Sequence, residues 1–229
     1  MRNIFKDLIH LFFPDLCAVC GNKLIDGEHC ICIGCMQKLP RTHYYKQPEN
    51  RLEEFFAGRV PYQRAAAYAY FIHGGSVQQM THELKYRRNR EIGLVMGELC
   101  GNELKNSDFT ATLDLIVPVP LHRKRIRQRG YNQSLEICKG ISKQTMLPLE
   151  PDSLVRTVNN KSQAKSKRFD RWKNVENIFE VTDKNTFIGK HILLVDDIIT
   201  TGSTIESCAR ELLECEGCKV SIYAFGVAT

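Results

Sequence analysis

Two adjacent acids, Asp196 and Asp197, stand directly after the apolar run Ile192-Leu193-Leu194-Val195 and just before Thr200-Thr201-Gly202-Ser203-Thr204. Carboxylates accept hydrogen bonds from vicinal hydroxyls, as a ribose presents, and help to hold Mg²⁺. The small residues behind them offer backbone N–H groups, hydroxyls, and in Gly202 a point where the chain turns tightly. From Ile205 the apolar positions Ile205, Cys208, Ala209, Leu212 and Leu213 follow helical spacing. A helix start presents unpaired N–H groups and the positive end of a dipole, which favour an anion. A sugar phosphate laid across Asp196 to Thr204 satisfies both ends of this turn. No Lys follows the glycine, so the segment is not a P-loop. The same residues also read as a Ser203–Glu206 capping box with the acids solvated.

The second chemistry-bearing pattern is cysteine. Cys17-Ala18-Val19-Cys20 and Cys32-Ile33-Gly34-Cys35 form two C-x-x-C knuckles around a short loop with Gly21 and Gly27. Four thiolates at this spacing make a closed tetrahedral zinc site with no open position for catalysis. His29 and Cys30 lie close enough in sequence to substitute for the fourth ligand. A redox pair needs one knuckle in a thioredoxin-like βαβ context, which is absent. Cys100, Cys138, Cys208, Cys215 and Cys218 are scattered through helical and strand stretches and read as small buried hydrophobes.

These residues need a scaffold, and 229 residues suffice for one α/β domain with a small appendage. After Leu39-Pro40, a polar stretch to Gly58 reads as loop. Strands are expected at 64–71, 113–120, 153–156 and 178–181, at the acid motif, and at 219–228; helices are expected at 75–87, 91–105 and from Asn132. The residues between Leu121 and Tyr131 read as a basic loop. Strands alternating with helices imply α/β architecture with a mainly parallel sheet, in which ligands bind at the carboxyl ends of strands.

The net charge of +6 points toward anionic partners. It concentrates in Lys85–Arg90, Arg123–Arg129 and Lys161–Lys173. Each alone reads as a solvated face, yet two of them flank strands expected beside the phosphate turn. Cations there suit a departing pyrophosphate or a polynucleotide backbone. No transmembrane segment is expected, and the N-terminus lacks a secretory pattern. "MRNIFKDLIHLFFPDL" reads as a short amphipathic helix that packs on the protein, with membrane-surface contact as the second reading. A cytoplasmic location follows, where thiols stay reduced.

"LLVDDIITTGST" is similar to the phosphoribosyl-pyrophosphate (PRPP) signature of type I phosphoribosyltransferases. The resemblance implies that Asp196 and Asp197 contact the ribose hydroxyls of a Mg²⁺-bound PRPP and that Thr200, Thr201, Gly202, Ser203 and Thr204 cradle its 5′-phosphate. "VPVPLHRKRIRQRGYNQS" and "LVRTVNNKSQAKSKRFDRWKNVENIF" resemble the ComF family, through Arg129-Gly130-Tyr131-Asn132-Gln133 and Arg156, Gln163, Arg171, Asn174 and Phe179. Lys85-Tyr86 matches the family's K-[FY] pair, while Ser166 departs from the apolar residue often found there.

This second resemblance implies a type I phosphoribosyltransferase sheet over residues 59–229, preceded by a helix and Cys₄ zinc module over residues 1–58. With the basic segments, it leads to expected contacts with pyrophosphate or nucleic-acid phosphate from Lys85, Arg123, Arg125, Arg127, Arg129, Gln163 and Arg171. The expected role is uptake and handling of single-stranded DNA in natural transformation, beside competence DNA-uptake proteins and with possible peripheral attachment to the inner face of the membrane. No general base or acceptor pocket is identifiable. Tyr131 reads either as a base-stacking residue or as core. Both a transferase and a nucleic-acid handling module are therefore expected readings.

Overall fold

The computed structural model describes residues 14–87, 89–158 and 178–228. In chain order the described helices are α1 (Ile33–Gln37), α2 (Arg51–Phe56), α3 (Ser76–Tyr86), α4 (Arg90–Leu104), α5 (Arg123–Arg129), α6 (Gln133–Thr145) and α7 (Ser203–Leu213). The strands are β1 (Ala65–Phe71), β2 (Leu115–Pro118), β3 (Leu154–Arg156), β4 (Phe179–Val181), β5 (His191–Ile199) and β6 (Lys219–Ala228). Continuous apolar runs make β1, β2, β5 and β6 suited to burial on both faces. They form one sheet in the order β1-β6-β5-β2, with every neighbouring pair parallel. Strands β3 and β4 pair antiparallel as a separate ribbon.

Three segments differ from the sequence-based expectation. The polar stretch before Gly58 is not simply loop. Asn50 caps α2 by accepting from Leu52 N at 2.9 Å and donates to the Ala65 carbonyl at 2.9 Å. Buried Glu53 accepts from Arg64 Nε at 2.9 Å and from Ala65 N at 3.1 Å. Just upstream, Thr42 N donates to Tyr68 O at 3.0 Å and Tyr70 N to Pro40 O at 2.8 Å, so residues 40–42 line the outer edge of β1. Polar side chains here satisfy buried backbone groups, a use that polarity alone disguises as loop.

The basic segment after β2 is helix rather than loop. His122 caps α5, and Gly130 ends it at φ +90°. Arg and Lys are good helix formers whatever their role on the surface. Finally, β5 continues through Ile199, so Asp196 and Asp197 lie within the strand and the turn begins only at Thr200.

Glycines set the closest helix contact. Gly93, Gly97 and Gly101 recur every fourth residue on α4 and face α6 around Gly140. A Cβ at Gly97 would sit 2.0 Å from the Ile137 carbonyl oxygen, and one at Gly140 2.3 Å from that of Leu94. The backbones therefore touch, which fixes where α6 begins.

Cys100, Cys138, Cys208, Cys215 and Cys218 are all buried, as small apolar residues would be. Tyr131 is also core: it is buried, donates to the Leu84 carbonyl, and lies under the Arg90 guanidinium at 5.0 Å. Among the described residues no helix is long and apolar enough to cross a membrane. The expected N-terminal amphipathic helix falls mostly outside the described residues. So does the basic stretch Lys161–Lys173, and with it Gln163, Ser166 and Arg171, as does Asn174.

Candidate anion-binding cleft and metal centre

Strand β2 stops pairing at Pro118, whereas β5 runs on to Ile199. This difference opens a cleft of about 510 Å³ at the carboxyl ends of the strands. Its walls come from α3, α5, the start of α6, Arg156 of β3, and the far end of β5 with Thr200 and Thr204. Lys85, Arg125, Arg129, Asp196, Asp197, Thr200 and Thr204 all line it. Arg123 and Arg127, on alternate positions of α5, are exposed and do not.

The two acids are held differently. Asp197 Oδ2 is 2.7 Å from Lys85 Nζ, an ion pair reaching from the last turn of α3. Asp196 Oδ1 accepts from Ser134 Oγ at 2.9 Å and from Asp197 N at 2.8 Å. Burial, and then the adjacent Asp197 charge, push the Asp196 carboxyl up to about 7, against the hydrogen bonds that favour its anion. Two carboxylates this close resist simultaneous ionisation unless a cation joins them. The cleft supplies cations opposite: Arg125, Arg129 and Arg156, beside Lys85. Burial and then the Arg125 charge lower Arg156 below its ordinary value, as like charges gathered in one cleft do.

Three neighbours that sequence reasoning did not assign to the site are placed by the start of α6. Asn132 donates to the Val119 carbonyl at 3.0 Å and caps Ser134 N at 3.2 Å, tying the helix to the end of β2. Gln133 accepts from Arg129 Nη1 at 2.9 Å, which orients that cation. The N-x-S cap before a helical period was the available signal for Asn132 and Ser134.

The turn is braced from behind. Gly202, at φ +69°, is the N-cap of α7, so Ser203 is its first helical residue. No Ser203–Glu206 capping box forms: Glu206 instead pairs with Arg210 at 2.9 Å and Arg59 at 2.9 Å, which together outweigh burial and hold it below the usual carboxylate range. Arg59 Nη2 also donates to the Thr201 carbonyl at 2.9 Å. Thr201 Oγ1 and Ser203 Oγ are 3.1 Å apart and exposed, with the α7 start behind them. Such an arrangement suits an anion on the turn and hydroxyls or a divalent cation at the acids.

The sulfurs of Cys17, Cys20, Cys32 and Cys35 lie within 4.8 Å of one another. Burial opposes ionisation of Cys17, but N–H groups including those of Cys20, Cys32 and Val19 outweigh it and lower the thiol to about 7. Four thiols gathered this closely could hold one tetrahedral Zn²⁺. Neither alternative ligand joins them. His29 is exposed, and Cys30, in the left-handed region at φ 58°, engages Asn89 and Glu91; burial and then the Glu91 charge push its thiol up to about 12.

Comparison with known proteins agrees with this arrangement. Residues 133–226 match the Phosphoribosyl transferase domain family. The chain is 28% identical over 228 residues to DNA utilization protein YhgH of Escherichia coli K12, covering 93% of this chain and 97% of that one. It is 29% identical over 218 residues to competence protein ComFC of Bacillus subtilis, covering 92% of this chain and 76% of that one. Competence protein F of Haemophilus influenzae is 26% identical over 210 residues, covering 88% and 92%. A parallel sheet carrying the acid pair at its carboxyl edge, a Cys₄ cluster ahead of it, and likeness to competence proteins along nearly its whole length support the ComF family for this chain.

Proposed function

We propose that this protein binds PRPP or a similar ribose 5-phosphate, with Mg²⁺, in the cleft at the end of β5, and that it acts in handling single-stranded DNA. One observation carries the ligand reading: Asp196, Asp197, Thr200 and Thr204 share a cleft with Lys85, Arg125, Arg129 and Arg156. Vicinal hydroxyls and a magnesium ion suit the acids, the 5-phosphate suits the start of α7, and the cations suit a pyrophosphate. Support for the DNA role comes from relatives named for competence and DNA utilization. Zinc in the Cys₄ cluster is structural in this reading, since four thiolates leave no position for substrate.

Titration calorimetry with PRPP and Mg²⁺ tests the ligand reading. Saturable binding to the wild type, lost when Asp196→Asn and Asp197→Asn are combined, is expected. No binding to the wild type sinks it. The facing arrangement of acids and cations also favours a second reading, transfer of ribose 5-phosphate to an acceptor. There the nucleophile forms a bond to ribose C1 as the C1–oxygen bond breaks and pyrophosphate leaves with that electron pair. Pyrophosphate release across a panel of nucleophiles decides it.

A further inference from the structure

Beyond Thr200, at the carboxyl ends of β5 and β6, lies a second pocket of about 210 Å³ lined by Tyr44, Arg51, Leu52, Phe55, Ile199 and Val227. Thr200 belongs to the walls of both this pocket and the cleft, so the two adjoin across the phosphate turn. Phe55 is part of the turn's packing: a Cβ on Gly202 would lie 2.7 Å from Phe55 Cε1. Yet Phe55 remains 39% exposed, with the Arg59 guanidinium 4.4 Å from its ring centre. The walls contain no acid, and their one cation, Arg51, makes no ion pair among the described residues.

We propose that this pocket takes one base of a single-stranded polynucleotide whose backbone phosphate rests on the turn Thr200–Thr204. The inference rests on the reading that this turn holds a phosphate, and extends it to what lies on the other side. The pocket is smaller than the roughly 300–1,000 Å³ of a typical small-molecule site, so it suits one flat ring of a larger ligand. Aromatic and apolar walls take any base by its π-face, which gives grip without sequence preference. The Tyr44 hydroxyl already accepts from Tyr70 at 3.2 Å, and exposed Arg51 is the one charged group among the walls. A guanidinium there meets the next phosphate along a strand. The 5-phosphate of PRPP is terminal and ends at the turn. A phosphodiester continues past it, and the pocket lies where that continuation goes.

The test compares full-length wild type with Arg51→Ala and with Ala228→Trp, which fills the pocket from the half-buried last residue of β6. The probes are a 3′-labelled thymidine pentanucleotide, read by anisotropy, and PRPP with Mg²⁺, read by calorimetry. Ala228→Trp is expected to bind the pentanucleotide roughly 5- to 150-fold more weakly, the effect of losing one stacked base, and Arg51→Ala to bind it more weakly with a shallower salt dependence, the effect of losing one phosphate contact, with PRPP affinity unchanged in both. Unchanged pentanucleotide affinity in Ala228→Trp overturns the proposal, as does absence of pentanucleotide binding by the wild type. Parallel loss of both ligands overturns it too, because the pocket would then only support the turn. If the wild type binds the pentanucleotide in a pocket-dependent way but not PRPP, the base pocket stands and the ribose-phosphate reading falls.

Discussion

Arg59 holds Thr201. Its Nη2 donates to the Thr201 carbonyl at 2.9 Å, while Nε and Nη2 both reach Glu206 Oε2, at 3.1 and 2.9 Å. A residue ahead of the sheet therefore sets the backbone of a turn 142 positions later. A bidentate guanidinium fixes direction as well as charge, which a single ammonium cannot.

Arg59→Ala should accordingly weaken ribose-phosphate binding about tenfold, with Arg59→Lys recovering only part of it. The turn pays the cost of ordering at the moment of binding once its brace is gone. Zinc content and far-ultraviolet circular dichroism should be unchanged. Calorimetry showing full affinity in Arg59→Ala removes the bracing role.

Gly97→Ala tests the seam between α4 and α6. The added Cβ would fall 2.0 Å from the Ile137 carbonyl oxygen, so the helices must part. Overpacking of this kind costs about 1–3 kcal/mol, or about 2–12 °C in melting temperature for a chain of this size. Because Ser134 rides on α6 and contacts Asp196, ligand affinity should fall as well. A melting temperature equal to wild type shows the seam to be looser than described.

How much of this was legible follows from what was local. The acid pair, the small-residue turn and the two C-x-x-C knuckles are contiguous, and each part's chemistry depends on its immediate neighbours. Long-range partners were not legible. Nothing near Arg59 points to Thr201, and nothing near Lys85 points to Asp197 beyond the family resemblance. The stretch around α2 was misread because Asn50 and Glu53 are polar for the sake of buried backbone groups, not of solvent. In α5 the density of Arg hid an ordinary helix, and only its period separates Arg125 and Arg129 from Arg123 and Arg127. The glycines of α4 carried a readable four-residue repeat whose meaning appears only once α6 is beside it.

Zinc removal should act beyond the cysteine cluster. A surface groove is lined jointly by Cys17, Ala18 and Val19 of the first knuckle and by Gln78 and His82 of α3. Gln78 and His82 also line the ligand cleft. A strong chelator, or Cys32→Ser, should lower the melting temperature and speed hydrogen exchange first in residues 16–39 and then in α3. Metal analysis of the purified protein should give one zinc per chain. Unchanged exchange in α3 after metal loss shows the module to be energetically separate from the cleft.

The pH dependence of ligand binding should follow Asp196. Its carboxyl titrates near 7 because burial, then Asp197, disfavour the anion, while Ser134, the Asp197 N–H and Lys85 favour it. An acid whose value is raised on folding binds a proton more tightly in the folded state. Its stabilising contribution is intact below about pH 4 and is lost as pH rises toward 7. Asp196→Asn should therefore melt higher than wild type at pH 8, by a few degrees for each kcal/mol recovered, and equally at pH 4. Binding runs the other way. Engaging ribose hydroxyls or Mg²⁺ requires the carboxylate, so association releases a proton, and wild-type affinity should rise between pH 6 and 8, by no more than about tenfold per unit. Calorimetry in two buffers of different ionisation enthalpy counts that proton directly. A proton count of zero at pH 6.5, with affinity flat across the range, shows Asp196 to be already ionised in the free protein and removes both halves of the expectation.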